Sequence, residues 1–325
     1  MILPIYNGQA YIGEALRSVL AQTYRPMEVV LIDDGSKDDS LRIVREVIAR
    51  HAPADFGVVL EARSNGGLSS ARNLGMRLAS GDVIGFIDHD DYIPPERTSV
   101  LMDGLLKSEA DMAFGQTARF TRLEDLSIAT VEPDSPFRAE GRPPYFKMFP
   151  NVQGFLAIRE LLESVGEFRL DLDAAAEDVD YVVRMRLRAR RMVRTDAVCY
   201  YYRYSENSMT SALTSRFVNS KLRFAQYAAE SLVAEGKATP VEGLALSKYL
   251  KGCISGFMKL GHREGVLMAL QARRSNRRIF GHADTTTAME WLMAMPGGFE
   301  FMRKTQQFRL KLISAHDRRH ARPLR

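Results

Sequence analysis

Between Met1 and Ile87 short apolar runs alternate with amphipathic stretches, and no other feature restricts the possible folds as much. Met1-Ile-Leu is an apolar run ending at Pro4. Met27 to Ile32 (MEVVLI) reads as a buried strand, and 57–61 and 83–87 read as two more. Between them, Tyr11 to Ala21 places Ile12, Leu16, Val19 and Leu20 at the spacing of one helix face, and 40–49 and 69–79 repeat that pattern. Parallel strands need long crossovers, usually helices, so strict alternation implies a mostly parallel, doubly wound α/β sheet. Ligands of such sheets bind at the carboxyl ends of the strands.

The polar clusters fall at those ends. Asp33-Asp34-Gly35-Ser36 follows one strand and Asp88-His89-Asp90-Asp91 another. Carboxylates on a tight turn suit a hard cation such as Mg²⁺ or Mn²⁺, which often takes one or two carboxylates plus phosphate oxygens. The same acids can instead cap a following helix, with Pro94 and Pro95 at its start. Asp33 and Asp34 carry the same ambiguity between a cap and a contact to a nucleobase or ribose. Gly66-Gly67 through Arg72-Asn73 opens a helix whose N–H groups can approach an anion, with Arg72 as a phosphate partner. It lacks the Gly-Lys-Ser/Thr of a P-loop and the Gly-x-Gly-x-x-Gly of a dinucleotide site. Glu177-Asp178-x-Asp180 heads a helix over 178–190, where acids complement the helix dipole or, with a facing acceptor hydroxyl, act as general base. Arg203 to Thr210 reads as a polar strand-to-loop segment, with Arg203 in reach of a diphosphate or acceptor.

Composition removes other classes. No apolar run reaches the roughly 18 residues of a membrane span, and the N-terminus lacks a signal-peptide core. Two cysteines, Cys199 and Cys253, build neither a disulfide framework nor a zinc site, which points to a reducing cytoplasm. The net charge is +5, and residues 303–325 hold eight Lys/Arg against Asp317 alone. With no basic stripe elsewhere, nucleic acid is not an expected partner. An apolar helix over 291–308 running into that tail suits an anionic membrane surface, or a helix packed on the catalytic domain. Residues 117–150 read as an irregular connection with scattered prolines. The helices expected beyond them are 159–165, 216–235, 240–274 and 286–295, with a break over 273–283 and a strand over 197–204.

Taken together, Leu-Pro-Ile-Tyr-Asn (3–7), Ile-Asp-Asp-Gly-Ser (32–36), Asn-Gly-Gly-Leu-Ser-Ser-Ala-Arg-Asn (65–73), Phe-Ile-Asp-His-Asp-Asp (86–91), Glu-Asp-Val-Asp (177–180) and the Tyr-Arg…Ser-x-Thr stretch (202–210) come in the order of the family 2 glycosyltransferases. Residues 1–212 resemble that family's GT-A domain, leaving 213–325 as a helical extension. The resemblance implies that Pro4 and Tyr6 belong to the first nucleotide loop and that Asp34, beside Asp33, reads the base. It places Arg72 near the nucleotide, Asp88 on the ribose and metal side, and Asp90 on Mn²⁺ or Mg²⁺. Asp178 is then the catalytic base, with Glu177 its neighbour. The implied activity is inverting transfer from a nucleotide-sugar donor, a UDP-sugar first, to a glycan or lipid-linked acceptor in surface polysaccharide or lipopolysaccharide assembly. A sugar nucleotidyltransferase would need a glycine-rich pyrophosphate loop where Pro4 to Gln9 stands, and the intact acids speak against a non-catalytic scaffold. The chain departs from the family pattern in three places. It starts only three residues before Pro4, so its start lies upstream or its first strand is weak. His89 stands where small residues are common, and Ser205 where His is frequent.

Overall fold

The computed structural model describes residues 1–131, 152–172, 176–204, 214–281 and 297–304. The chain divides into two compact units, Met1–Ser211 and Ala212–Arg325.

The first unit begins with three parallel strands, β1 (Ile2–Ile5), β2 (Met27–Asp33) and β3 (Phe56–Ala62), in the order β1-β2-β3. β1 continues through Pro4, which sits opposite Ile32. On its other edge β1 meets the strand line of β4 (Val83–Gly85) at a single parallel bridge, Ile2 with Phe86. Backbone groups alternate sides along a strand. The carbonyls of Met1 and Ile5 accept from β2's side, that of Ile2 from Ile87 at 3.1 Å. Pro4 therefore faces the β4 edge beyond that bridge, where its missing N–H costs no ladder bond.

The crossovers are α1 (Ile12–Leu20), α2 (Ser40–His51) and α3 (Leu68–Leu78). Alternate residues of the strands feed opposite faces. Leu3, Ile5, Val29 and Leu31 pack with Leu16 and Val19 of α1, Val44 of α2, and Leu101 of α4 (Arg97–Ser108). Ile2, Val30 and Ile32 pack with Ala71 of α3 and with Tyr181, Val182 and Met185 of α6 (Ala176–Arg188). Each fully buried aliphatic side chain stabilises the sheet by roughly 1.5–3 kcal/mol. Helices cover both faces, as the alternation predicts.

The second half of the sheet is mixed. β7 (Phe155–Ile158) lies antiparallel between β4 and β5 (Met112–Phe120). β8 (Met192–Arg203) runs parallel to the far edge of β5, and the short β6 (Thr130–Val131) pairs antiparallel with β5's end. The stretch expected to be irregular from 117 thus begins as strand. It passes through a 3-10 turn at Leu123–Ile128 before β6; the rest of it, to 150, lies outside the described residues. α5 (Arg159–Val165) forms where expected, and β8 starts five residues before the strand predicted at 197.

The second unit contains α7 (Ser215–Ala234), α8 (Pro240–Lys259) and α9 (Arg263–Phe280). α8 opens on a capped first turn, with the Thr239 hydroxyl accepting from Glu242 N–H and Pro240 leading the helix. The single helix expected over 240–274 is two helices. Gly261 takes φ +71°, a left-handed conformation open to glycine, and His262 Nδ1 caps α9 by accepting Gly265 N–H at 2.9 Å. Nor does the helix break at 273: α9 continues to Phe280 and ends at Gly281, φ +61°. The helix expected at 286–295, most of that at 291–308, and the tail beyond 304 lie outside the described residues. Among the described residues no helix is long and apolar enough to cross a membrane.

Candidate active site

The loops after β1 and β2 are zipped together. Asn7, at φ +49°, donates its N–H to Ser36 Oγ at 3.0 Å and accepts from Lys37 N–H at 2.8 Å. Gly8 N–H donates to Ser40 Oγ at 2.8 Å. These bonds leave Tyr6 standing 47% exposed at the rim, while Pro4 is buried in the strand. Gly8 has a second duty: a Cβ there would lie 2.5 Å from Cδ2 of His89. The bulky residue in the Asp88–Asp91 turn is thus accommodated by bare backbone on the facing loop.

Asp33 and Asp34, at the end of β2, are both buried. Asp33 accepts from Ser36 N–H at 3.3 Å. Asp34 accepts from Gly66 N–H at 3.0 Å and Gly67 N–H at 2.8 Å, and pairs with Arg63 Nε at 2.9 Å. The glycine N–H groups that sequence offered to an anion are therefore directed at a protein carboxylate. Gly67, at φ +88°, supplies the backbone angle that turns them there. Such charge-assisted bonds are about twice as strong as neutral ones. They tie the end of β2 to the start of α3.

Arg72, one turn into α3, is fully buried. It donates to Asp88 Oδ1 at 3.0 Å and to Glu177 Oε1 at 3.3 Å, and lies over the Phe168 ring. Burial works against its charge, but Asp88, Glu177 and Asp178 more than offset that and hold its pKa up. A single guanidinium thus joins the turn after β4 to the start of α6. Asp88 is gripped from its other side by the Gln153 amide, whose main-chain carbonyl accepts from Arg97 at 2.7 Å.

Asp91 is buried beneath the turn. It accepts from the Tyr200 hydroxyl and from Arg203 N–H at 2.7 Å. Arg203 Nε donates to the Asp90 carbonyl, also at 2.7 Å. The Asp90 carboxylate makes no ion pair among the described residues. Burial pushes its pKa up; His89 opposes this and Asp88 adds to it. A half-buried carboxylate outside any ion pair among the described residues, beside a second carboxylate, fits a divalent cation completed by phosphate oxygens. Among the described residues no three His, Cys, Asp or Glu side chains form a protein-only cage.

At the start of α6, burial pushes the Asp178 carboxyl up to about 8; Glu177 adds to the shift and Arg72 opposes it. Glu177 is also pushed up by burial, against the pull of Arg72. Asp180 is of another kind. It pairs with Arg184 at 2.8 Å and Arg169 at 3.4 Å, and anchors α6. Structure thus brings Arg72, Asp88, Glu177 and Asp178 into one charge network, with Asp90 on the adjoining turn. It holds Asp33, Asp34 and Tyr6 at neighbouring strand ends. Arg203, expected within reach of a diphosphate or acceptor, has its guanidinium engaged by the carbonyls of Asp90 and Thr121 and by the Glu14 carboxylate of α1. Sequence reasoning did not single out Gln153, Tyr200 or Glu14. A lone Gln ahead of a four-residue strand, a Tyr in a tyrosine run and a Glu on a helix carry no motif.

Residues 1–165 match the family model described as Glycosyl transferase family 2. The chain belongs to that family. Glycosyltransferase GlyA of Streptococcus pneumoniae is a relative 26% identical over 237 residues, which is 68% of this chain and 32% of GlyA. The chain spans 32%, 51% and 62% of the lengths of three curated relatives. Residues 1–349 of S. aureus TarS, solved in complex with UDP-GlcNAc, superpose with a TM-score of 0.57 at 23% identity, over 85% of this chain and 88% of that fragment. Mannosyltransferase PcManGT from Pyrobaculum calidifontis, in complex with GDP-Man and Mn²⁺, gives 0.51 at 19%, over 94% and 83%. Both likenesses are of fold, the GT-A architecture. The family match ends before Glu177 and Asp178, so their roles rest on the geometry around them.

Proposed function

We propose that the protein is an inverting glycosyltransferase that moves a sugar from a nucleoside-diphosphate donor, a UDP-sugar, to a hydroxyl of a glycan or lipid-linked acceptor. The observation that carries this is the Arg72 guanidinium shared by Asp88 and Glu177. It couples the strand-end turn suited to a donor diphosphate to the helix start suited to an acceptor.

Tyr6 stands on the donor side, with the buried Asp33, Asp34 and Arg72 holding the strand-end loops behind it and Asp88 toward the ribose. Asp90, aided by Asp88, would hold Mn²⁺ or Mg²⁺, which when bound offsets charge on the departing diphosphate. Asp178 takes the proton of the acceptor hydroxyl. That oxygen bonds to the anomeric carbon from the face opposite the leaving group, the carbon–oxygen bond to the diphosphate breaks, and the configuration inverts. A carboxyl held near 8 is a stronger base than an ordinary Asp and is matched to neutral operation. Glu177 keeps Arg72 in place and, by its charge, raises the basicity of its neighbour.

The acceptor is read as part of surface polysaccharide or lipopolysaccharide, met at the cytoplasmic face of the membrane. Support for this is the basic composition of residues 303–325. The donor reading is tested by thermal unfolding with UDP-, GDP- and dTDP-sugars, with and without Mn²⁺. A ligand bound only by the folded state at 100 times its Kd adds about 2.7 kcal/mol. UDP-sugars should raise Tm further with Mn²⁺ than without it, and Asp90→Ala should abolish the Mn²⁺-dependent part of the rise. No shift with any nucleotide would overturn the reading.

A further inference from the structure

Arg203 ends β8, with a side chain 5% exposed. Nε donates to the carbonyl of Asp90 at 2.7 Å, one Nη to the carbonyl of Thr121 at 2.9 Å, and the other Nη to the Glu14 carboxylate. Its guanidinium carbon lies 4.4 Å from the ring centroids of both Tyr11 and Phe120. Three separate pieces of chain meet on this one planar group. Tyr11 and Glu14 belong to the entry and first turn of α1, just after the loop that carries Tyr6. Asp90 belongs to the turn after β4. Phe120 and Thr121 end β5. Arginine is the side chain suited to such a junction, since its rigid fork spreads donors over three nitrogens while its planar faces stack on aromatic rings; an ammonium gathers its donors at one nitrogen and has no planar face. A phosphate could recruit this guanidinium only by displacing one of these partners.

We propose that Arg203 is a positioning residue: it fixes the main chain of Asp90 against α1, so that the Asp90 carboxylate meets a divalent cation in register with a nucleotide held by the loop after β1. This rests on the reading of Asp90 as metal ligand. Removing a group that holds a metal-ligating residue in place weakens metal binding by roughly 10- to 100-fold. Arg203 acts on the cation through Asp90 and has no contact with the nucleotide.

The test is calorimetry of the full chain with UDP as probe, in the absence of metal and across a Mn²⁺ titration, together with thermal unfolding. The variants are Arg203→Met, Arg203→Lys, Glu14→Gln and, as reference, Asp90→Ala. Arg203→Met should lower the apparent Mn²⁺ affinity roughly 10- to 100-fold, with metal-free UDP affinity unchanged. Arg203→Lys, which keeps the charge beside Glu14 but loses the fork, should fall between it and wild type. Glu14→Gln, at a partly exposed site that leaves the fold intact, should shift Mn²⁺ affinity the same way by less. A purely structural Arg203 would lower Tm and leave the Mn²⁺ affinity of the folded variants at the wild-type value, which overturns the inference. An equal loss of UDP affinity with and without metal would overturn it in favour of a direct phosphate contact. If wild type shows no Mn²⁺-dependent gain in UDP affinity, the Asp90 reading fails and the inference with it. A wild-type gain that survives in Arg203→Lys and Glu14→Gln refutes the inference alone.

Discussion

Asp178 is a carboxyl that burial, helped by Glu177, pushes up to about 8, whereas an Asp in the unfolded chain titrates near 3.9. Between those values the native state holds the proton and the unfolded state does not. The native state then binds more protons, so this group's contribution to stability falls as pH rises from about 4 and is lowest above about 8. Asp178→Asn removes the slope. Denaturant unfolding from pH 5 to 9 should show the Asn variant gaining on wild type as pH rises; parallel curves would contradict the shift. In turnover the same group predicts a rate that climbs with pH toward a plateau above about 8. Glu177→Gln removes the negative neighbour that raises Asp178. It should move that limb to lower pH and, with Arg72 losing a partner, reduce turnover less than Asp178→Asn does.

The contact between α3 and β1 is a test at the level of elements. Gly75 faces Ile2, and a Cβ on it would lie 2.4 Å from Ile2 Cγ2. Alanine is the better helix former by about 1 kcal/mol, but overpacking a tight core costs about 1–3 kcal/mol. Gly75→Ala should therefore destabilise the protein by up to about 2 kcal/mol, read as a lower denaturant midpoint. An unchanged midpoint would show that α3 can move away from the strand. The elements of this half were legible because each carries one clear period: Val29 to Ile32 is continuous and apolar, and α1 repeats its apolar face. Beyond Asp91 the signal weakens. β5 mixes Gln116, Thr117 and Arg119 into its run, because it is covered on only part of its surface, and Gly115, where Cys199 of β8 leaves no room for a Cβ. β7 is four residues long and flows directly into α5. The site shows the same division. Acids at strand ends could be found from position, since the sheet's geometry places them. The partners Gln153, Tyr200 and Glu14 come from distant elements that meet only when the sheet closes, and the engagement of Arg203 was hidden for the same reason.

On the scale of the molecule, charge is segregated. Residues 212–325 contain 20 Lys/Arg and 8 Asp/Glu, while residues 1–211 contain 25 and 32. The unit that houses the proposed donor site is thus acidic and the helical unit basic. Deleting residues 303–325 should weaken binding to anionic vesicles, more so at low salt where screening is least. Vesicle sedimentation that does not distinguish the truncated from the full chain would exclude the tail. The account as a whole depends on donor binding and sugar transfer being separable in one protein. The most direct measurement is made on Asp178→Asn, beside wild type with Mn²⁺ present: nucleoside-diphosphate release in the presence of an acceptor, and donor affinity by calorimetry. The account predicts a release rate lower by roughly 10²-fold or more with donor affinity retained, as befits a lost general base. Near wild-type release, or loss of donor binding in step with the rate, would contradict it.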